Sequence, residues 1–369
     1  MISKFYKIIE QYRNFDYKDF FNKLNPCNIE NAIYSRNMSE LEFLALLSPL
    51  AEKYLEELAQ KAQQTTIRHF GKIIQLYTPM YISNYCNNQC LYCGFKKENK
   101  IERKQLTFDE IEKEAVEIAM SGMRHILVLT GSAPNVATPD YILNAVRTIK
   151  KYFPSVSIEM YPMNKEEYKS LFLAGVDGLT IYQETYDEKL YANLHPAGPK
   201  SNYQYRLSAP DRGCQAGIRR INIGSLLGLK DWRQDIFLTS LHCAYLQKEY
   251  PATETSLSLP RIQSHEGNYT SQAPVTDKNM VQILTAFRLF MPRGGINIST
   301  REKPYFRDNA IPLGITNMSA GCTTAVGGHT KDDSTKQFEI ADTRSVKEVQ
   351  KLIYNKGYQP VFKDWQHLN

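Results

Sequence analysis

The segment Met80-Tyr-Ile-Ser-Asn-Tyr-Cys-Asn-Asn-Gln-Cys-Leu-Tyr-Cys93 joins a short apolar run to three closely spaced cysteines. Helical stretches follow, and the first of them begins at the capping box Thr107-Phe-Asp-Glu110. Eight strands that alternate with helices predict an α/β fold, a closed TIM-type (β/α)8 barrel. The eight predicted strands are Met80–Ser83, His125–Thr130, Val156–Met160, Gly178–Tyr182, Arg219–Gly224, Thr255–Pro260, Ile296–Thr300 and Leu313–Met318.

The chain divides into three predicted parts around this barrel. Residues 1–75 form an N-terminal helical extension, because their apolar residues recur near helical spacing. The barrel covers residues 76–320, and residues 321–369 form a short C-terminal segment that packs on it. That segment holds a glycine-rich loop, a helix over Ser345–Asn355 and a terminal apolar run, Pro360–Trp365.

A cysteine and several polar side chains directly follow the eight predicted strands. In (β/α)8 barrels the reacting groups sit just past the C-terminal ends of the strands. We therefore expect one face of the barrel to bring together Cys86, Ser132, Tyr161, Gln183, Ser225, Arg261, Arg301 and Ser319.

The composition carries no signature of a nucleic-acid-binding or membrane protein. Hydrophobic residues make up 42% of the 369 residues, charged residues 23%, and the formal net charge is +6. The basic residues cluster only in pairs such as Lys96-Lys97. The start of the chain lacks an apolar secretory region, and no window approaches the apolar length of a membrane span. We expect a cytoplasmic protein whose seven cysteines stay reduced.

Cys86, Cys90 and Cys93 have the spacing of metal ligands. Thiolates are the soft ligands that iron–sulfur clusters require, and one short loop can supply three corners of a 4Fe-4S cubane. Three ligands for four irons leave one iron open, and an open iron can chelate an amino and a carboxylate group. One alternative is a structural zinc loop, for which His69 or His125 would have to supply the fourth ligand. The other is three cysteines without a metal.

The cysteine loop also carries a resemblance to a known family. CxxxCxxC with an aromatic residue, Tyr92, before its third cysteine resembles the radical S-adenosylmethionine (SAM) superfamily. Segments along nearly the whole chain resemble the aromatic amino acid lyase branch of that superfamily. They include Tyr81-Ile-Ser-Asn-Tyr-Cys86, Asn222-Ile-Gly-Ser-Leu-Leu-Gly-Leu-Lys-Asp-Trp-Arg233, Ser299-Thr-Arg-Glu302 and Gly327-Gly-His329.

The resemblance implies a reaction, two cofactors and several partners. The cofactors would be a 4Fe-4S cluster on Cys86, Cys90 and Cys93, and SAM bound beside it. The chain is most similar to the tyrosine lyases of the branch. These split the Cα–Cβ bond of tyrosine into 2-iminoacetate (dehydroglycine) and p-cresol, for the thiazole of thiamine. The implied partners are tyrosine as substrate, a reductant such as flavodoxin or ferredoxin, and thiazole synthase as the recipient of the product.

The resemblance further assigns roles to residues outside the cysteine motif. Arg301 and Ser319 would be the catalytic residues, with Arg301 holding the carboxylate of the amino acid and Ser319 its amine. Tyr92, Ser132 and Arg212 would contact SAM, respectively at its adenine, its amine and its carboxylate.

Some of these residues have alternatives. Arg301 could instead form a surface ion pair with Glu302, and Ser319 could be a turn hydroxyl. Arg206 could substitute for Arg212.

The chain departs from the family pattern at two positions. After the second strand the superfamily usually has Gly-Glu, whereas this chain has Gly131-Ser132, so the amine of SAM would lose a charged partner. After the sixth strand the usual Arg-x-Arg reads Arg261-Ile-Gln263, so a cation is missing at the barrel mouth.

The departures leave more than one function open. Besides a tyrosine lyase, the chain could be a divergent paralogue that cleaves another aromatic amino acid such as tryptophan, or an iron–sulfur scaffold without turnover. A zinc hydrolase is disfavoured because none of the seven histidines forms a metal-ligand pair. A hydrogenase maturase with a second cluster is disfavoured because Cys214, Cys243 and Cys322 are not closely spaced.

Overall fold

A computed structural model describes residues 3–267, 269–331 and 334–363, and a sheet of parallel strands forms their centre. The strands are β1 (Ile73–Ser83), β2 (His125–Thr130), β3 (Ser155–Glu159), β4 (Val176–Glu184), β5 (Arg220–Ser225), β6 (Glu254–Ser258), β7 (Gly295–Ile298), β8 (Asn317–Ser319) and β9 (Gln359–Val361).

Helices surround the sheet, and five of them precede β1. Within the described ranges no helix is long and apolar enough to cross a bilayer. The α-helices are α1 (Tyr6–Tyr12), α2 (Tyr17–Lys23), α3 (Pro26–Tyr34), α4 (Glu40–Leu46), α5 (Leu55–Phe70), α6 (Phe108–Met120), α7 (Pro139–Lys150), α8 (Lys165–Leu173), α9 (Glu188–Leu194), α10 (Tyr203–Leu207), α11 (Ala209–Ala216), α12 (Trp232–Glu249), α13 (Asp277–Phe290), α14 (Pro304–Ala310) and α15 (Val346–Asn355).

Strands β1 to β8 close into a barrel. Each strand pairs in parallel with the next, and β1 completes the ring by pairing with β2 on one side and β8 on the other. The closing register places Gln75 opposite Asn317 and Tyr77 opposite Ser319. The (β/α)8 barrel predicted from the sequence is confirmed, and all eight predicted strands overlap strands of the structure.

The strands bury one face against the helices and turn the other into the barrel. In β3, Val156 and Ile158 are fully buried in the hydrophobic core. Ser157 and Glu159 alternate with them along the strand and therefore face the inside of the barrel. The apolar face drives barrel formation, since burying each large aliphatic side chain contributes about 1.5–3 kcal/mol. The inner face is left free to carry polar groups.

Local capping signals start several helices where the sequence indicates. Thr107 accepts a hydrogen bond from the backbone N–H of Glu110, and the Glu110 carboxylate accepts one from the Thr107 N–H in return. The same reciprocal box begins α15 at Ser345 and Glu348. These side chains satisfy backbone donors that the first helical turn leaves without partners.

The first barrel strand begins earlier than the predicted Met80. The predicted division after residue 75 falls inside β1, which already begins at Ile73. The early residues of β1 are strand because they pair with β9, where Ile73 faces Gln359. A strand of three residues with a proline at its centre gives almost no signal in the sequence. The end of the predicted C-terminal segment, 364–369, lies outside the described residues.

A buried ion pair fastens the C-terminal segment to the barrel. The guanidinium of Arg307, on α14, binds the carboxylate of Asp342 and also donates to the backbone oxygen of Ser319, and both charged side chains are 0% exposed. Arg344 donates to the same carboxylate. Burial by itself raises the pKa of Asp342, but these two guanidinium groups hold it below its usual value.

Replacing Arg307 with methionine should destabilise the chain by about 3 kcal/mol, because it leaves a buried carboxylate partly uncompensated. Urea unfolding followed by circular dichroism measures this as a lower midpoint. Lys23→Met is the control. Its ion pair with Asp19 is exposed, so the free energy of unfolding should change by less than about 0.5 kcal/mol. Equal midpoints for Arg307→Met and wild type would contradict this role.

Candidate active site

A large cavity opens at the carboxyl ends of the barrel strands. It encloses about 1550 Å³ free of protein atoms, including its open mouth, which is enough for two small molecules together. Most of the site residues predicted from the sequence meet there. The predicted residues that line it are Cys86, Cys90, Tyr92, Cys93, Ser132, Arg301 and Ser319.

Arg103 holds the cysteine loop in shape. Its guanidinium donates hydrogen bonds to the backbone oxygens of Asn84 at 2.7 Å, Phe95 at 2.9 Å and Lys96 at 2.7 Å. One side chain therefore connects the two ends of the loop that carries the three thiols. Arg103 belongs to no motif, so it could not be singled out from the sequence.

Gly131 lets the loop after β2 approach the cysteine loop closely. A Cβ atom at this position would lie 2.2 Å from the backbone oxygen of Tyr85, a distance that no side chain can adopt. Beside it, the N–H of Asn87 donates to the backbone oxygen of Ser132 at 2.9 Å. This close approach brings Ser132 next to the cysteines.

The three thiols fit a cluster better than a single ion. Among the described residues, no three histidine, cysteine or carboxylate groups are close enough to bind one metal ion. A cubane is wider than one ion, so the thiolates that hold it stand further apart. Because a structural zinc site needs four ligands around one ion, this spacing argues against the zinc loop.

The cavity disfavours thiolates that are not bound to a metal. Burial raises the pKa of the Cys90 thiol to about 12 and also raises that of Cys93. Since a ligating thiol is deprotonated, iron has to supply the stabilisation that water cannot. Gln337 lies next to Cys93, with its amide nitrogen 3.9 Å from the sulfur.

Arg301 presents its guanidinium to the cavity without a carboxylate partner among the described residues. The central guanidinium carbon, Cζ, lies 3.3 Å from the centre of the Phe338 ring. The side-chain amide of Gln263 donates a hydrogen bond to the backbone oxygen of Arg301 at 3.0 Å. Glu302 does not pair with it, because Arg261 binds Glu302 through Nε at 2.9 Å. The surface ion pair considered from the sequence is therefore absent, and Arg301 is available to a ligand.

Ser319 lies at the end of β8, near Arg301. Its hydroxyl oxygen accepts a hydrogen bond from the N–H of Thr300 at 3.1 Å, and its backbone oxygen accepts one from Arg307. These contacts fix its position between the loops after β7 and β8.

The structure does not bring Arg212 to the cavity. On α11, Arg212 donates to the backbone oxygens of Met163 and Tyr205, at 2.7 and 2.9 Å, and its guanidinium stacks 4.0 Å from the Tyr205 ring centre. Arg206, on α10, lines the cavity in its place. The SAM contact of Arg212 stays a prediction that this geometry does not favour.

Three charged residues at the cavity were not identified from the sequence as a group. Glu184 ends β4 and forms ion pairs with Lys200 and, at 3.8 Å, with Arg206. Among the described non-glycine residues it alone has a positive φ, 70°. Such backbone strain is typical of functional sites. Lys200 also lies 5.4 Å from the ring centre of Tyr92, whose hydroxyl is 2.6 Å from His195 Nε2.

Comparison with known families agrees with this geometry. The Radical SAM superfamily matches residues 80–238, which include the cysteine loop, and the Biotin and Thiamin Synthesis associated domain matches residues 258–359. The barrel and its cavity are thus those of a radical SAM enzyme, and its cofactors are a 4Fe-4S cluster and SAM.

Similar proteins place the chain within that class. It is 38% identical to the 2-iminoacetate synthase of Salmonella typhimurium and 37% identical to that of Escherichia coli, each over 96% of both chains. The structure of the FeFe-hydrogenase maturase HydG from Carboxydothermus hydrogenoformans matches with 28% identity and a TM-score of 0.86, over 98% of this chain and 83% of that one. The chain belongs to the 2-iminoacetate synthase family.

Replacing any one of Cys86, Cys90 and Cys93 with serine should remove most of the iron, because two thiolates cannot hold a cubane that leaves one iron open. Anaerobic reconstitution followed by iron and sulfide assay measures this against wild type, which should bind about four irons per chain. Cys322→Ser is the matched control. It lines the same cavity and should keep its iron. Full iron content in a Cys90→Ser variant would show that the ligand assignment is wrong.

Proposed function

We propose that this enzyme cleaves the Cα–Cβ bond of tyrosine and releases 2-iminoacetate and p-cresol. The observation that supports the proposal most is the guanidinium of Arg301, which pairs with no carboxylate among the described residues and lies in the same cavity as the three thiols. A planar guanidinium binds an amino acid carboxylate with two parallel hydrogen bonds. The full-length similarity to 2-iminoacetate synthases supports the same reaction.

The protein's part in this reaction is to bind, orient and enclose. The cluster, when bound, supplies the electron that cleaves SAM and so starts the radical chemistry. Arg301 would hold the carboxylate of tyrosine, and the hydroxyl of Ser319 would contact the amine. Positioning of this kind accounts for much of enzymatic rate enhancement, because the reacting atoms meet without further loss of entropy.

Other residues of the cavity would bind SAM. Ser132 is near the cysteine loop and could accept a hydrogen bond from the amine of SAM, although it lacks the charge of a glutamate. Arg206 and Lys200 supply cations on the opposite side of the loop, so that Arg206 rather than Arg212 would face the SAM carboxylate. Tyr92 would border the adenine.

Further partners follow from the proposed reaction. A small electron carrier such as flavodoxin or ferredoxin would reduce the cluster, and thiazole synthase would receive the product, because an imine of this kind hydrolyses in water. We place the enzyme in the cytoplasm. None of the seven cysteines forms a disulfide, which is compatible with a reducing compartment.

Arg301→Lys should lose at least about 90% of tyrosine turnover while it keeps its cluster, because a point charge cannot reproduce the planar fork. Anaerobic assays with SAM, dithionite and tyrosine measure p-cresol by chromatography. Arg233→Lys, outside the cavity, is the control and should retain turnover. Wild-type rates in Arg301→Lys would contradict the carboxylate role, and cleavage of tryptophan in preference to tyrosine would contradict the proposed substrate.

A further inference from the structure

Glu159 is a carboxylate in the cavity to which the proposed reaction gives no role. It is the last residue of β3, and its side chain lines the cavity. Among the described residues, none donates a hydrogen bond to its carboxyl group and none forms an ion pair with it. Its carboxyl group is half-buried and opens onto the cavity, where a bound ligand would reach it.

Glu159 and Arg301 stand on opposite sides of the barrel. In the closed ring of eight strands, β3 and β7 are separated by four steps in either direction. Arg301 follows the end of β7 at Ile298, and Glu159 ends β3. An amino acid whose carboxylate binds Arg301 keeps its amine on that side, because the amine and the carboxylate share one carbon. The far end of its side chain points toward Glu159.

The space between these two residues suits an aromatic ring. Its walls come from β1, β2 and β4 and are mostly apolar: Tyr77, Tyr81, Leu127, Leu129 and Tyr182. Burial raises the pKa of both Tyr81 and Tyr182, and the charge of Glu159 raises it further. The carboxyl group of Glu159 thus lies within electrostatic reach of these walls.

The electrostatics of Glu159 suit a neutral partner. Burial raises its pKa to about 7, although the charge of Arg301 lowers it. Burial of this kind disfavours every charged group in the cavity, an ammonium group included. A hydroxyl group can instead donate to this carboxylate without bringing a second charge into the cavity.

We propose that Glu159 accepts a hydrogen bond from the phenol hydroxyl of the substrate and thereby selects a hydroxylated aromatic amino acid. This inference rests on the proposed function and names the residue that determines its specificity. Phenylalanine would fill the same slot but leave the carboxylate without a partner. A site built to hydrogen-bond a hydroxyl rejects the analogue that lacks it for this reason.

Binding to the cluster-loaded enzyme with SAM but without reductant tests the inference apart from catalysis. Isothermal titration with tyrosine and with phenylalanine gives a ratio of two dissociation constants for each variant. Wild type should prefer tyrosine, and Glu159→Met should reduce that preference roughly 10- to 100-fold, the range for a hydrogen bond to a charged group. Glu159→Gln keeps the shape and an amide oxygen, so it should reduce the preference roughly 3- to 10-fold.

Glu112→Gln is the control, because it neutralises a carboxylate that pairs with Lys151 outside the cavity and should leave the ratio unchanged. A wild type without preference, or an undiminished preference in both Glu159 variants, would overturn the inference. Should Glu159→Met not fold, Glu159→Gln decides alone, and an unchanged ratio overturns the inference. Failure of the proposed function appears separately, as a wild type that prefers tyrosine in binding but forms no p-cresol.

Discussion

Closure of the barrel through β1 is the constraint on which the rest of this structure depends. β1 pairs with β2 and β8 at once, so the ring has no open edge, and its parallel strands all end on one face. The cysteine loop leaves β1 at that face. Arg103 fixes the form of the loop, and Gly131 allows the neighbouring loop to approach it. The closed barrel thus determines which side chains can meet the thiols.

The charges at the cavity mouth offset the two departures from the family pattern. Ser132 lacks the carboxylate that is usual after β2, and Gln263 lacks the cation that is usual after β6. Glu184 supplies a carboxylate from the end of β4, and Lys200 and Arg206 supply cations beside it. The cavity therefore carries both signs of charge, although they come from other strands. This arrangement favours an active enzyme over an inactive scaffold.

The sequence predicted what depends on local pattern. The barrel follows from eight short apolar runs, and the thiols and Arg301 follow from their positions just after strands. Arg206 and Arg212 could not be told apart, because both lie on neighbouring short helices and only tertiary packing decides which one reaches the cavity. The strand β9 was missed because it forms only through its pairing with β1.

Long-range contacts explain the remaining residues that the sequence did not reveal. Arg103 acts through backbone oxygens, which leave no pattern in the side chains. Glu159 stands out only once the ring of strands places β3 opposite β7. Both are single charged residues in unremarkable segments.

The central claim is that the cluster and the amino acid share one cavity. Electron paramagnetic resonance of the reduced, reconstituted enzyme with SAM tests it most directly, by comparing spectra before and after addition of tyrosine. Tyrosine should change the cluster spectrum of the wild type, and should do so much less in Arg301→Ala, which retains the cluster. If a saturating concentration of tyrosine left the spectrum unchanged, the cluster and the amino acid would not share one cavity.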